Sequence, residues 1–288
     1  MKNRRENIMK NNRLWVCPNN DLEAKTIIEM LEREGEKYLV TGQTWGASWE
    51  KLEEEIKKEL KEALENGTEV YGIELQGNSN GAINIDHHIY GEDDRRNPKS
   101  SIEQVADILG KELTLDEQFV SANDKGYIPA MEELGEKLKI DPQDIKEIIA
   151  NIRMRDRETQ GITSKQEAQA EEAIKKLGEL KEKRNYISID LPHSKTSTVT
   201  DRLYGKYDNL LVTSEDGETN FFGKTEIIKM LSERFPSGWS GGSLDQGSGY
   251  WGGYADQNAI KAEVQNTINV MTAKENNRCA HNSKSKED

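Results

Sequence analysis

The stretch that decides the fold is VYGIELQGNSNGAINIDHH, residues 70–88. Two short apolar runs, residues 70–75 and 82–85, are separated by a polar segment with two glycines, which is typical of a connection between strands. The second run is followed directly by Asp86, His87 and His88. We therefore predict two buried strands, with acidic and imidazole side chains at the point where the second strand ends.

Two further strands precede this stretch and alternate with helices. Residues 14–16 and 38–40 are short apolar runs, a helix is predicted after Asp21, and residues 49–64 have the spacing of a charged amphipathic helix. Strands that alternate with helices indicate a parallel α/β sheet with crossover helices. Ligands of such sheets bind at the carboxyl ends of the strands. The residues that follow each predicted strand are therefore the candidates for a functional site.

The second half of the chain has a different pattern. Residues 131–184 are rich in Glu, Lys and Arg with helical spacing, and from residue 185 short strands and helices return. A glycine-dense stretch at residues 238–253 is predicted as a loop. We predict an N-terminal α/β domain (13–130), a charged helical connector (131–184), a smaller α/β domain (185–272) and a disordered tail (273–288), with frayed residues before 13.

Composition limits the partners of this protein. Of its 288 residues, 34% are hydrophobic and 32% are charged, and the formal net charge is -13. A field of that sign repels long nucleic acids and anionic membranes, but it allows a small phosphorylated substrate at a metal site. With two cysteines and no apolar run of roughly 20 residues, we expect a cytoplasmic protein without a membrane span.

Oxygen, nitrogen and sulfur donors follow the predicted strands, and these are the ligand types of Mn²⁺, Mg²⁺ and Zn²⁺. A pair of such metals can hold a phosphate and activate water, and a neighbouring imidazole can protonate the leaving oxygen. Glu74 also alternates with apolar neighbours as an outward-facing strand residue would, and Asp124 beside Gly126 also fits a turn. The candidates are Cys17, Asp21, Glu23, Glu74, Asp86, His87, His88 and Asp124.

The remaining candidates also have structural interpretations. Cys17 suits a small buried residue at a strand end, Asp21 a helix N-cap, and the two histidines a strand cap in a polar loop. Arg95 and Arg96 could clamp a phosphate with a guanidinium, or form a solvated pair with the acids of residues 92–94. Gly241 and Gly242 could line an anion-binding loop, and the alternative is a flexible loop whose aromatic residues pack on the core.

The order of these residues resembles the DHH phosphoesterase superfamily. Its first motif has the spacing of Cys17 to Glu23, its second corresponds to Glu74, its third is matched literally at residues 86–88, and its fourth fits Asp124. The residues from 186 to 253 resemble that family's substrate-binding C-terminal domain. This chain has Cys where the first motif has His, and Glu where the first and second motifs have Asp. A thiolate would favour Zn²⁺ over Mn²⁺.

The resemblance implies a metal-dependent phosphoesterase that acts on a short oligonucleotide, a nucleotide bisphosphate or a cyclic dinucleotide. His88 would contact the phosphate or assist the leaving group, Arg96, Gly241 and Gly242 would bind substrate, and the other candidates would hold metal. We expect Mn²⁺ first, with Zn²⁺ or Mg²⁺ as alternatives, and a homodimer is left open. The competing hypotheses are a degenerate nucleotide-binding module of the same fold and an interaction protein that acts through its charged helices.

Overall fold

The computed structural model describes residues 12–44, 46–242 and 244–284. Contacts divide the chain into two compact units, Met1–Gly161 and Ile162–Asp288. The residues before 12, predicted to be frayed, lie outside the described part of the chain. The mixed α/β architecture predicted from the sequence is confirmed, with a parallel sheet in the first unit and a mixed sheet in the second.

The first unit is built on a four-stranded parallel sheet in the order β2-β1-β3-β4. Its strands are β1 (Arg13–Cys17), β2 (Lys37–Val40), β3 (Glu69–Ile73) and β4 (Ile83–Ile85), and β5 (Ile89–Tyr90) pairs with β6 (Asp93–Asp94) in a separate hairpin. Its helices are α1 (Leu22–Glu34), a 3-10 turn (Trp49–Lys51), α2 (Glu54–Glu65), α3 (Ser101–Leu109), α4 (Leu115–Lys137) and α5 (Pro142–Thr159).

The central strand β1 is buried on both faces. Leu14 and Val16 pack into one apolar cluster, while Trp15 and Cys17 pack into another on the opposite face. Burial on both faces is the usual state of a central strand in a parallel sheet that helices cover. The strand therefore delivers the chain from the middle of the core to the edge where α1 begins.

Helix α4 is bent where Gly126 and Tyr127 leave helical geometry, and Tyr127 has a left-handed φ of 60°. The residues predicted as a turn around Asp124 thus belong to a helix just before a kink. The stretch predicted as a connector is divided between the two units. In the first unit, Met131 and Ile145 join an apolar core with Phe119, so these helices supply core residues as well as charged faces.

The second unit contains a five-stranded sheet in the order β10-β11-β9-β8-β7, in which only β7 and β8 are parallel. Its strands are β7 (Arg184–Leu191), β8 (Tyr207–Ser214), β9 (Thr219–Lys224), β10 (Trp239–Gly241) and β11 (Ser248–Gly253). Its helices are α6 (Ser164–Lys175), α7 (Ser197–Leu203), α8 (Thr225–Arg234), a 3-10 turn (Leu244–Gln246) and α9 (Gln257–Lys284).

Two predictions for the second unit were wrong. The glycine-dense stretch is an antiparallel hairpin, β10 and β11, because its glycines leave room for the aromatic rings that lie across the strand pair. The predicted tail is helical as far as Lys284, because it continues α9, whose first half buries Ile260 and Val264, and residues 285–288 lie outside the described part. None of the described helices has the length and apolar composition of a membrane span.

Candidate metal centre

Four side chains from four separate segments meet in the first unit. Glu23 is in the first turn of α1, Glu74 directly follows β3, His87 lies just after β4, and Asp124 is on α4 before its kink. One ligand atom from each lies within 4.8 Å of the other three. Ligand atoms about 2.0–2.4 Å from one cation lie at most about 4.8 Å apart, so the group can hold a metal ion.

The distances within this cluster indicate that its ligand atoms converge on one point. His87 Nε2 lies 2.6 Å from Asp124 Oδ2, 3.4 Å from Glu74 Oε1 and 3.9 Å from Glu23 Oε2. Even so, His87 Nε2, Asp124 Oδ2 and Glu23 Oε2 are buried without a hydrogen bond of acceptable geometry. Buried polar atoms without partners are costly. A cation at the centre would satisfy all three atoms together.

Glu23 is almost fully buried, with 3% of its surface exposed. Its Oε1 accepts a hydrogen bond of 2.9 Å from the backbone N–H of Ile102, in the first turn of α3. This bond fixes the side chain and leaves Oε2 directed at the cluster. Sequence spacing alone could not show that a residue of α1 is held in place by the beginning of α3.

Glu74 adopts a backbone conformation that is rare for a residue with a side chain, with a φ of 49°. Its N–H donates to the carbonyl of Ile85, and its Oε1 accepts from Ser101 Oγ at 2.8 Å. A left-handed residue is strained, and such strain is concentrated at functional sites. The strand end is therefore held in a shape that turns the Glu74 carboxylate toward His87.

The electrostatics of the cluster show excess negative charge. Burial raises the pKa of Glu23 well above its ordinary value, and the carboxylates of Asp124 and Glu74 raise it further. Burial lowers the pKa of His87, but Asp124 and Glu74 outweigh this effect and raise it to about 10. Without a cation, the cluster therefore holds protons that a bound metal would displace.

Asp86 and His88 form a second pair beside the cluster. Asp86 Oδ1 accepts from the backbone N–H groups of His87 and His88, at 2.8 and 3.0 Å, and lies 3.1 Å from His88 Nδ1. Burial raises the pKa of Asp86, but these hydrogen bonds outweigh it and hold the carboxyl below its usual range. Asp86 thus orients the half-exposed imidazole of His88, and Glu74, His87 and His88 form an overlapping group of potential ligands.

Asp21 and Cys17 are placed outside the cluster. Asp21 caps α1 by accepting from the N–H of Ala24 at 2.9 Å, and it is 7% exposed. Burial, together with repulsion from Glu74 and Asp124, raises its pKa to about 7 despite that bond. Cys17 lies in the apolar core, where desolvation raises the pKa of its thiol, and the structure does not bring it to the other candidates.

The predicted substrate-binding residues have local contacts that account for them without a ligand. Arg96 is exposed and pairs with Asp94 at 2.7 Å. Gly241 is paired with Tyr250 in the hairpin, and a Cβ there would lie 2.6 Å from the Tyr250 hydroxyl and 2.8 Å from its ring. Gly242 has a φ of 92°, and a Cβ would lie 2.8 Å from the backbone of Gly249. These glycines are required by the hairpin itself.

Of the two arginines considered from the sequence, Arg95 is the one that approaches the site. Its N–H donates to the carbonyl of His88, and its guanidinium lies 3.6 Å from Asp86 Oδ2. The small hairpin of β5 and β6 turns the chain back over the His pair and brings Arg95 there. The turn at Gly91, which has a φ of 65°, was the available signal for this fold-back.

Comparisons with known proteins add little. No protein-family model matches the chain, and no curated protein matches it. One similar solved chain is an uncharacterised protein from Helicobacter pylori G27, with 11% sequence identity and a TM-score of 0.29. The likeness covers 89% of this chain and 99% of that chain, and a score so low supports no argument about fold or function.

Proposed function

We propose that this chain is a divalent-metal-dependent phosphoesterase that hydrolyses a small phosphorylated substrate. The observation that carries the proposal is the origin of the four clustered side chains. Glu23, Glu74, His87 and Asp124 come one from each of the four segments in which the sequence resembles the DHH superfamily. A cluster formed by chance would not be expected to take one residue from each of those segments.

The donor set favours Mn²⁺. Three carboxylates and one imidazole are hard or borderline ligands, which suit Mn²⁺ well, whereas Zn²⁺ gains most from thiolates. The sequence argument for Zn²⁺ rested on Cys17, whose thiol lies in the apolar core with a raised pKa. Mg²⁺ prefers one or two carboxylates and several waters. We therefore rank Mn²⁺ above both Zn²⁺ and Mg²⁺.

The side chains divide the work as follows. Glu23, Glu74, His87 and Asp124 hold the cation, which when bound supplies Lewis-acid activation of water and phosphate. His88 donates a proton to the leaving oxygen, because its hydrogen bond to Asp86 raises its pKa and keeps the ring protonated nearer to neutral pH. Asp86 is a positioning residue that fixes the ring of His88.

A small substrate in the cytoplasm fits the rest of the chain. The net charge of -13 opposes a long nucleic acid and leaves room for a short phosphoester. The buried Cys17 is a free thiol, as expected in a reducing compartment.

The test is metal binding followed by hydrolysis. Protein treated with a chelator is titrated with Mn²⁺ by calorimetry and then assayed with bis-p-nitrophenyl phosphate. We expect Mn²⁺ binding and Mn²⁺-dependent hydrolysis, both abolished by His87→Ala and both retained by His193→Ala, a histidine of the second unit. Retained binding without hydrolysis would instead indicate a degenerate binding module, and no Mn²⁺ binding would refute the metal site.

A further inference from the structure

A polar pocket of about 500 Å³ lies beside the metal cluster in the first unit. Asp86 lines it, and the next residue, His87, belongs to the cluster. Its volume falls within the range of about 300–1,000 Å³ that is typical of small-molecule sites. A phosphate alone would leave most of this space empty. The pocket is therefore large enough for a further part of a phosphorylated substrate.

The side-chain amides in this pocket are arranged as hydrogen-bond donors. Asn84 Oδ1 accepts from Trp49 Nε1 at 2.8 Å, and Asn97 Oδ1 accepts from the N–H of Lys99 at 2.9 Å. Asn78 Oδ1 likewise accepts from the backbone N–H of Asn80, at 2.9 Å. These bonds fix which end of each amide is oxygen. Within the described part of the chain, the three amide nitrogens have no partner, so each offers N–H groups only.

Gln104 has the opposite arrangement. Its Nε2 donates both to the carbonyl of Asp86, at 2.9 Å, and to the carbonyl of Lys99, at 3.0 Å. An amide nitrogen has two N–H groups, so both donors are used and only the carbonyl oxygen of Gln104 is available. The pocket thus offers amide donors together with two acceptors, the Gln104 carbonyl and Asp86 Oδ2, which is buried without a hydrogen bond.

Arg95 is the basic residue that lines the pocket, and its guanidinium is already engaged by other groups. The guanidinium of Arg95 donates to the carbonyls of Leu75 and Gly77, at 2.7 and 2.8 Å, and pairs with Asp93 at 2.6 Å. With Asp86 and Asp93 also lining the pocket, a second anionic group is disfavoured there. The ligand that fits is uncharged, with adjacent hydrogen-bond acceptors for the amide donors and N–H groups for the acceptors of the pocket.

We propose that this pocket binds the base of a guanine nucleotide. This inference rests on the proposed function, because the phosphate of that nucleotide is assigned to the neighbouring metal cluster. Guanine presents two adjacent acceptors, O6 and N7, whereas adenine pairs the N7 acceptor with an N6 donor. Asn84 and Asn97 donate to the two guanine acceptors, and the Gln104 carbonyl accepts from a guanine N–H. Adenine would set its N6 donor against amide donors.

The test uses nucleosides, which lack the phosphate and so separate the pocket from the metal. Chelated protein is titrated with guanosine and with adenosine by calorimetry. Asn84→Asp and Asn97→Asp keep the oxygen that Trp49 or Lys99 requires and replace the free donor by an acceptor. Asn151→Asp, on the exposed face of α5, is the control for added charge.

We expect guanosine to bind at least about tenfold more tightly than adenosine. Each pocket variant should reduce that preference about fivefold or more, and Asn151→Asp should leave it unchanged. Both variants should still bind Mn²⁺, because neither removes a residue of the cluster. Equal binding of the two nucleosides, or a preference that survives both pocket variants, overturns the inference. If the unmodified protein does not bind Mn²⁺, the proposed function is overturned instead. The guanosine titration of the chelated protein still tests the pocket in that case.

Discussion

The substitution Asp21→Asn should stabilise the metal-free protein, and it should do so increasingly as the pH rises. Asp21 is buried beside Glu74 and Asp124, and its pKa is raised from 3.8 to about 7. Between those two pH values the unfolded chain has lost a proton that the folded chain still holds. Folding stability is therefore lost as the pH rises from about 3.8 to about 7, and the loss is complete above pH 7.

The magnitude follows from the width of that pH window. At ~1.36 kcal/mol for each pH unit, the cost of ionising Asp21 in the folded state reaches about 4 kcal/mol above pH 7. Asparagine is as good an N-cap as aspartate, so the bond from Ala24 survives the change. The gain in the free energy of unfolding should be near zero at pH 4 and up to about 4 kcal/mol at pH 8.

Urea denaturation in the presence of a chelator, at pH values from 4 to 8, measures this gain. The control is Asp141→Asn, which alters the exposed N-cap of α5 and keeps its bond from the N–H of Gln143. Added Mn²⁺ should reduce the gain for Asp21→Asn, because a cation offsets the repulsion from the neighbouring carboxylates. A gain that does not change with pH, or that the control reproduces, would refute the reasoning.

Three more predictions concern the cluster. Glu23→Gln keeps the oxygen that accepts from the Ile102 N–H, so the chelated protein should not be destabilised. Calorimetry should show the Mn²⁺ affinity of this variant reduced tenfold or more. Lower stability with unchanged affinity would contradict this prediction. Mn²⁺ affinity should rise with pH, because binding releases a proton from His87, whose pKa is about 10. The released proton makes the heat of binding depend on the buffer, and a heat that is the same in every buffer would contradict this prediction. Cys17→Ala should lower the free energy of unfolding by about 1–2 kcal/mol and leave Mn²⁺ affinity unchanged, whereas a tenfold loss of affinity would make the thiol a ligand.

Much of the fold was predictable because the apolar periodicity and the turn residues agree. The sequence predicts helices over residues 197–203 and 225–234, which are the ranges of α7 and α8, and Asp21 is the predicted N-cap. The role of Cys17 could not be predicted, because a strand buried on both faces has no alternation to show which face a side chain takes. The alternation of apolar and polar residues shows which way side chains point where one face of an element is exposed, and it does not where both faces are covered.

The site was predictable as a set of segments but not as a set of contacts. Glu23, Glu74, His87 and Asp124 were candidates, yet nothing in the sequence separated them from Asp21 or Cys17. The left-handed conformation of Glu74 has no sequence signature, because glycine or asparagine would be expected at such a position. The convergence of the cluster comes from tertiary packing.

The two oxygens of Glu23 link the metal cluster to the beginning of α3, since Oε1 holds the Ile102 N–H and Oε2 faces His87. A cation that pulls on Oε2 would also restrain Oε1. The amide of Ile102 is fully buried and is not itself part of the cluster. Its rate of exchange with deuterium should fall when Mn²⁺ is added, so this single backbone amide is a natural reporter of metal occupancy that needs no label at the site.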